Sequence, residues 1–214
     1  GGHAGIEASL ISLKLGCKTA LVTMNKRAIG RMSCNPAIGG LSKGQIVKEM
    51  DILGGMMGVA TDFSAIQFKI LNQSKGKSVW SPRAQVDKRI YESFVLNKIV
   101  ASNLEVVEGE VVDIIHKNEN IKGVVLRDGF KIKAKSVILT CPFPQLKKIA
   151  GKYLEKKILN LKIKMEPNIT TMLAFKNQKN VPVSSIKFND EILTWAAYEN
   201  SKNRFNSSNS LWTL

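Results

Sequence analysis

A chain of 214 residues with 44% hydrophobic and 23% charged side chains has the size and composition of one large or two small soluble domains, and no apolar run reaches the ~18–20 residues that a membrane-spanning helix needs. Its charge of +15 divides into +8 over residues 1–140 and +7 over 141–214, which excludes a single basic tract and leaves a solvated basic surface and an RNA-facing one both open. Cys17, Cys34 and Cys141 form no CxxC pair and no metal spacing, and this odd, sparse set fits a reducing cytoplasm better than a disulfide framework.

The opening Gly-Gly-His-Ala-Gly has neither the basic region nor the apolar stretch of a signal peptide. Residues 6–16 place apolar side chains at helical spacing and stop on Gly16. Residues 18–24 read as a short strand of the kind buried on both faces of a parallel sheet. Turn, helix, glycine and strand make a βαβ unit whose first strand is expected ahead of residue 1. Residues 26–44, with four glycines and one proline, read as loop. A helix is predicted over 45–58, then a short apolar stretch at 65–72. An amphipathic helix follows over 83–101, with Val86, Ile90, Phe94, Ile99 and Val100 near one face. Strands at 104–115, 121–127 and 130–134, with turns such as Asp128-Gly129, predict an antiparallel meander. Val137–Thr140 reads as a short buried return strand. This order is that of a two-dinucleotide-binding flavoprotein domain.

Beyond Thr140 the character changes. Pro142 and Pro144 bracket Phe143, a lysine-rich segment follows, and strands are predicted near 169–175, 183–188 and 191–198. The last residues, Leu211–Leu214, read as the start of another strand. The expected organisation is α/β: a Rossmann-type dinucleotide-binding domain with a β-meander over residues 1–140, then part of a β-rich, α+β substrate-type domain over 141–214. The chain is expected to be truncated at both ends.

A dinucleotide fingerprint, G-x-G-x-x-G, needs one glycine for the turn, one for backbone approach to a pyrophosphate and one for close helix–strand packing. Gly2 and Gly5 match the second and third, and Gly1 is the spacer between the first two. The acid expected about 20 residues on, for the ribose hydroxyls, is replaced by Thr23-Met24-Asn25, and Asn25 is the neutral candidate for that contact.

Several ordered blocks carry a resemblance: Gly-Gly-His-Ala-Gly-Ile-Glu-Ala; Ser33 to Gly40; Lys43-Gly44 with Val47-Lys48-Glu49; Ile66-Gln67-Phe68 with Leu71-Asn72 and Lys75-Gly76; and Arg83 to Asp87. Over residues 1–140 the chain resembles the GidA (MnmG) family of FAD-dependent tRNA uridine 5-carboxymethylaminomethyl modification enzymes. The resemblance implies FAD reduced by NADH, a tRNA substrate, an MnmE-type GTPase partner and a homodimer. It also implies that Gly1, Gly2, His3, Ala4 and Gly5 hold the FAD pyrophosphate and that the Val111 backbone meets the adenine.

Cys34, beside Asn35-Pro36 in a glycine-rich loop, reads either as a catalytic thiolate or as a small residue shaping the loop. Cys17 reads as packing, His116 as surface, and His3 as a helix-start residue packed near the cofactor, with proton transfer as the sharper reading. Lys43, Lys48, Lys69, Lys75, Lys77, Arg83, Lys88 and Arg89 would contact tRNA phosphates if they share a face. Trp80 reads as packing or as a base-stacking ring.

After Thr140 the Cys141-Pro142-Phe143-Pro144-Gln145 segment instead resembles amine-oxidase-like and renalase-like FAD proteins, as do Trp195-Ala196-Ala197 and the end of the chain. A crossover at Ile138-Leu139-Thr140 would join two such chains at an equivalent point. Three functions therefore stand: the FAD part of a tRNA-modifying enzyme, a flavin oxidoreductase acting on a small molecule, and a nucleotide-binding module without turnover.

Overall fold

The computed structural model describes residues 1–32, 35–118, 120–163, 165, 171–176, 182–189, 193, 195–202 and 209–213. They form two compact units, Gly1–Lys162 and Ile163–Leu214. None of the helices among the described residues is long and apolar enough to cross a membrane.

The first unit opens with helix α1 (His3–Lys14), stopped by Gly16 at φ +84°, and strand β1 (Ala20–Thr23). Strand β2 (Ala37–Gly39) and helices α2 (Lys43–Ile52) and α3 (Met56–Ser64) follow. Next come β3 (Ala65–Leu71), β4 (Ser81–Val86) and α4 (Lys88–Ala101). β5 (Glu105–Glu108) pairs parallel with β1, with Thr23 level with Glu108. β6 (Val111–Lys117), β7 (Asn120–Leu126) and β8 (Lys131–Lys133) form an antiparallel meander. A third sheet has β4 between β2 and β3, both antiparallel to it. Helices α5 (Phe143–Ala150) and α6 (Lys156–Leu159) complete the unit.

Four expected elements differ. The helix over 45–58 is two helices, because Gly54 at φ +82° ends the first and Gly55 starts the second. The helix over 83–101 begins at Lys88: its first residues belong to β4, and the Asp87 carboxylate caps α4 by accepting the N–H groups of Arg89 (2.8 Å) and Ile90 (3.0 Å). Its buried face is Tyr91, Val95 and Ile99, four residues apart, while Ile90 and Val100 are exposed. The strand over 104–115 is two strands in two different sheets. Val137–Thr140 pairs with no strand and Ile138 is 67% exposed, so the buried return strand is absent among the described residues. Its last residue, Thr140, lies against α1 instead, with Oγ1 3.1 Å from where a Cβ on Gly5 would stand.

The core is gathered around α1, β1, α3, β4 and α4: Ile6, Leu21, Ile29, Ile38, Met57, Val86, Tyr91, Val95 and Ile99 are all buried in one cluster. β1 is less enclosed than expected, with Leu21 alone buried along it. Cys17 is exposed rather than packed, as it follows the helix stop. The change in composition after Thr140 falls inside the first compact unit. There the Tyr153 hydroxyl donates to the Ile114 carbonyl (3.3 Å), and Lys152 pairs with Asp113 (3.0 Å) on the meander.

In the second unit β9 (Met172–Phe175), β10 (Ser185–Lys187), β11 (Trp195–Tyr198) and β12 (Ser210–Thr213) form an antiparallel sheet of order β10-β11-β12-β9. Asn200 braces it, accepting from the Leu211 N–H and donating to the Asn209 carbonyl, both at 2.8 Å. Parts of the strands expected near 169–175 and 191–198 lie outside the described residues.

Candidate functional site

The site is built on the start of α1. Its N-cap, Gly2, is extended and offers no side-chain cap, and the first turn holds no acid. The backbone N–H groups of that turn lack helical partners, and with the helix dipole they present positive potential to an anion. The three glycines here do different work. A Cβ on Gly1 would come within 2.5 Å of Thr23 Oγ1 and 2.9 Å of Ile29, so the turn lies flat against the end of β1. A Cβ on Gly5 would come within 3.1 Å of Thr140 Oγ1 and 3.5 Å of Leu21, the close helix–strand approach the motif requires. Gly2 has no atom within 4 Å of that position, so the lane in front of it is open to a ligand.

A lysine acts on the same end of α1. Burial and the charge of Lys43, at the start of α2, hold the His3 imidazole below its ordinary pKa. Burial and the Arg83 charge, from β4, lower that of Lys43 in turn. The His3 ring lies 5.6 Å from that of Tyr91, and its Nε2 is buried without a hydrogen-bond partner. An orphaned buried nitrogen, the Lys43 cation, unpaired helix N–H groups and an open glycine lane suit a diphosphate-bearing group. Of the basic residues expected to share a face, Lys43 acts on His3 and Arg83 acts on Lys43.

At the far end of β1, Asn25 is exposed and its Oδ1 accepts the Arg27 N–H (2.8 Å), capping a short 3-10 turn, Lys26–Ala28. That leaves its Nδ2 as the group available to a ribose. Val111 starts β6 level with Leu126, two residues beyond Gly109, whose N–H donates to the Thr23 carbonyl (2.8 Å). Cys34 and Ser33 lie outside the described residues. Trp80 is pinned rather than free: its Nε1–H donates to the Gln73 carbonyl (3.2 Å). His116 is exposed, edge-on to Tyr153 at 4.9 Å.

Two acids escaped the sequence reading. Glu7 accepts the N–H groups of Met56 (3.0 Å) and Met57 (2.6 Å), which fixes α3 against α1. The Glu108 Oε2 accepts the Lys26 N–H at 2.8 Å. Glu7 follows the glycine turn by two residues and was visible as part of it. Glu108 carries no local signal, being 82 residues from its partner.

The family described as Glucose inhibited division protein A matches residues 1–189. The chain belongs to that family. Among its relatives, the tRNA uridine 5-carboxymethylaminomethyl modification enzyme MnmG of Sulfurihydrogenibium sp. is 54% identical over 144 residues, 65% of this chain and 23% of that protein. The enzyme of the same name from Aquifex aeolicus is 51% identical over 142 residues, again 65% and 23%. This member of the Glucose inhibited division protein A family therefore spans about a quarter of the length of the curated relatives it matches. The form I crystal structure of Aquifex aeolicus GidA superposes with a TM-score of 0.63 at 38% identity, over 82% of this chain and 31% of that one. PqsL of P. aeruginosa shares the fold alone, with a TM-score of 0.51 at 11% identity over 99% of this chain and 57% of that one. The family match runs past Thr140, where the composition changes.

Proposed function

We propose that this chain is the FAD-binding part of an enzyme that installs the 5-carboxymethylaminomethyl group on the wobble uridine of tRNA. The observation that carries it is the open lane at Gly2, between Gly1, where a Cβ would clash with Thr23, and Gly5, where it would be tight, inside residues 1–189 that the family matches. The α1 N–H groups, Lys43 and Arg83 neutralise the diphosphate, and the unpaired His3 Nε2 takes a polar atom of the bound group. Thr140, brought against Gly5, closes the turn from the other side. Bound flavin would supply two-electron redox chemistry at the modified uridine carbon. Cys34 is the candidate thiolate of this reading. We assign NADH, the MnmE-type GTPase partner and the homodimer to the length of the relatives beyond the matched 23%.

Gly2→Asp tests the site, since the fold has room for the side chain and its carboxylate would occupy the free α1 N–H groups and repel the diphosphate. Wild-type protein is expected to retain visible flavin absorbance and to gain thermal stability from FAD. The variant is expected to melt at or slightly above the wild-type temperature, since Asp caps α1, and to bind FAD at least roughly tenfold more weakly, a loss of about 1.4 kcal/mol. Equal FAD affinity in the two proteins, or no flavin on the wild type, would overturn the assignment.

A further inference from the structure

We infer that the Glu108 carboxylate receives the adjacent hydroxyls of the adenosine ribose when the glycine turn holds FAD, a reading that rests on the FAD assignment above. A dinucleotide fold sets its ligand across the carboxyl ends of parallel strands, with an acid at the end of the strand that follows the turn helix. A carboxylate suits that place because it accepts from two neighbouring hydroxyls at once, with charge-assisted strength. In this chain that strand is β1, and it runs out in Thr23, Met24 and Asn25 with no acid.

The acid arrives from the next strand. β5 lies parallel to β1 in the register Ala20↔Glu105 to Thr23↔Glu108, so the two strands end level at one sheet edge. Two hydrogen bonds turn the Glu108 corner toward β1. The Lys26 N–H donates to Glu108 Oε2 and the Gly109 N–H donates to the Thr23 carbonyl, each at 2.8 Å. Glu108 is exposed, and its Oε1 accepts no hydrogen bond from the described residues. Asn25, the other polar group at this corner, has its Oδ1 engaged by the Arg27 N–H. Thr23 in turn lies against Gly1, so the corner and the glycine turn are contiguous. One carboxylate oxygen is thus held by the backbone, and the other, on an exposed side chain, is left to accept at the end of the sheet where the ribose belongs.

The test compares FAD with 2′-deoxy-FAD and 3′-deoxy-FAD, by flavin fluorescence titration of the whole chain. Wild-type protein is expected to favour FAD over at least one deoxy form by roughly tenfold, the scale of a hydrogen bond to a charged group. In Glu108→Ala the FAD affinity should fall about tenfold and the discrimination should shrink to near one. Glu108→Gln keeps an acceptor for the Lys26 N–H and should melt with the wild type while losing part of the discrimination. Equal weakening of FAD and both deoxy forms in Glu108→Ala would show that Glu108 only props the 3-10 turn, and would overturn the inference. Wild-type protein that binds FAD without distinguishing the deoxy forms overturns the ribose contact alone. Wild-type protein that binds no FAD overturns the assignment beneath it as well.

Discussion

His3 carries the sharpest consequence at the scale of single residues. Its imidazole is held below the ordinary value of about 6.5, first by burial and then by the Lys43 charge, with the neutral Tyr91 ring on its flank. A histidine so depressed binds fewer protons folded than unfolded, so stability is full above the unfolded value and declines as pH falls through it toward the folded value. Thermal melts are therefore expected to shift down as pH falls below about 7, and His3→Asn should flatten that slope. Glu110 and Asp113 act elsewhere on the pH axis. Hydrogen bonds from Arg127 and Lys152 lower their pKa values, so their contribution is present above the unfolded value and is lost only at more acid pH. A slope unchanged by His3→Asn would place the titrating group away from α1. FAD, by bringing negative charge to His3, should raise its pKa and weaken the same slope.

Elements depend on caps that join distant parts of the chain. Glu7 sits on α1 and closes the N-terminus of α3 with bonds to two backbone N–H groups. Glu7→Ala should lower unfolding free energy by about 1–2 kcal/mol in urea titrations, the value of a charged N-cap, with no change in the slope against urea. A change under about 0.3 kcal/mol would show that packing alone holds α3. The same dependence on partners decides which elements the sequence discloses. α1 with its Gly16 stop and the β6–β8 meander are legible because periodicity and turn residues are local. β2 is not: three residues in a glycine-rich loop become a strand because Ala37, Ile38 and Gly39 align with Gln85, Ala84 and Arg83 of β4. The division of 104–115 follows from Gly109 bonding back to Thr23, which moves the chain from one sheet to another. At the site, Gly2 and Gly5 are legible from motif spacing. The His3, Lys43 and Arg83 cluster and the Glu108 corner are assembled by tertiary pairing that no spacing rule reaches.

At the scale of the whole molecule, every residue of the proposed cofactor cradle lies in the Gly1–Lys162 unit, and so does the core cluster from Ile6 to Leu104. The charge is uneven between the units in a way that the split at Thr140 conceals. Residues 1–162 hold 26 Lys and Arg against 13 Asp and Glu, a net +13 of the chain's +15. A chain ending at Lys162 is therefore expected to melt cooperatively and to keep the FAD affinity of the full chain within about twofold, under the 1.4 kcal/mol that a tenfold loss represents. If the proposed tRNA reading holds, the shortened chain should match the full chain in tRNA affinity and in the slope of that affinity against salt concentration, because the slope counts phosphates neutralised by Lys and Arg and nearly all the excess charge is retained. Filter binding across about 50–200 mM salt checks this, with the full chain measured in parallel. A tenfold loss of FAD affinity on truncation would assign part of the cradle to Ile163–Leu214, and a flattened salt slope would assign the RNA-facing charge there instead.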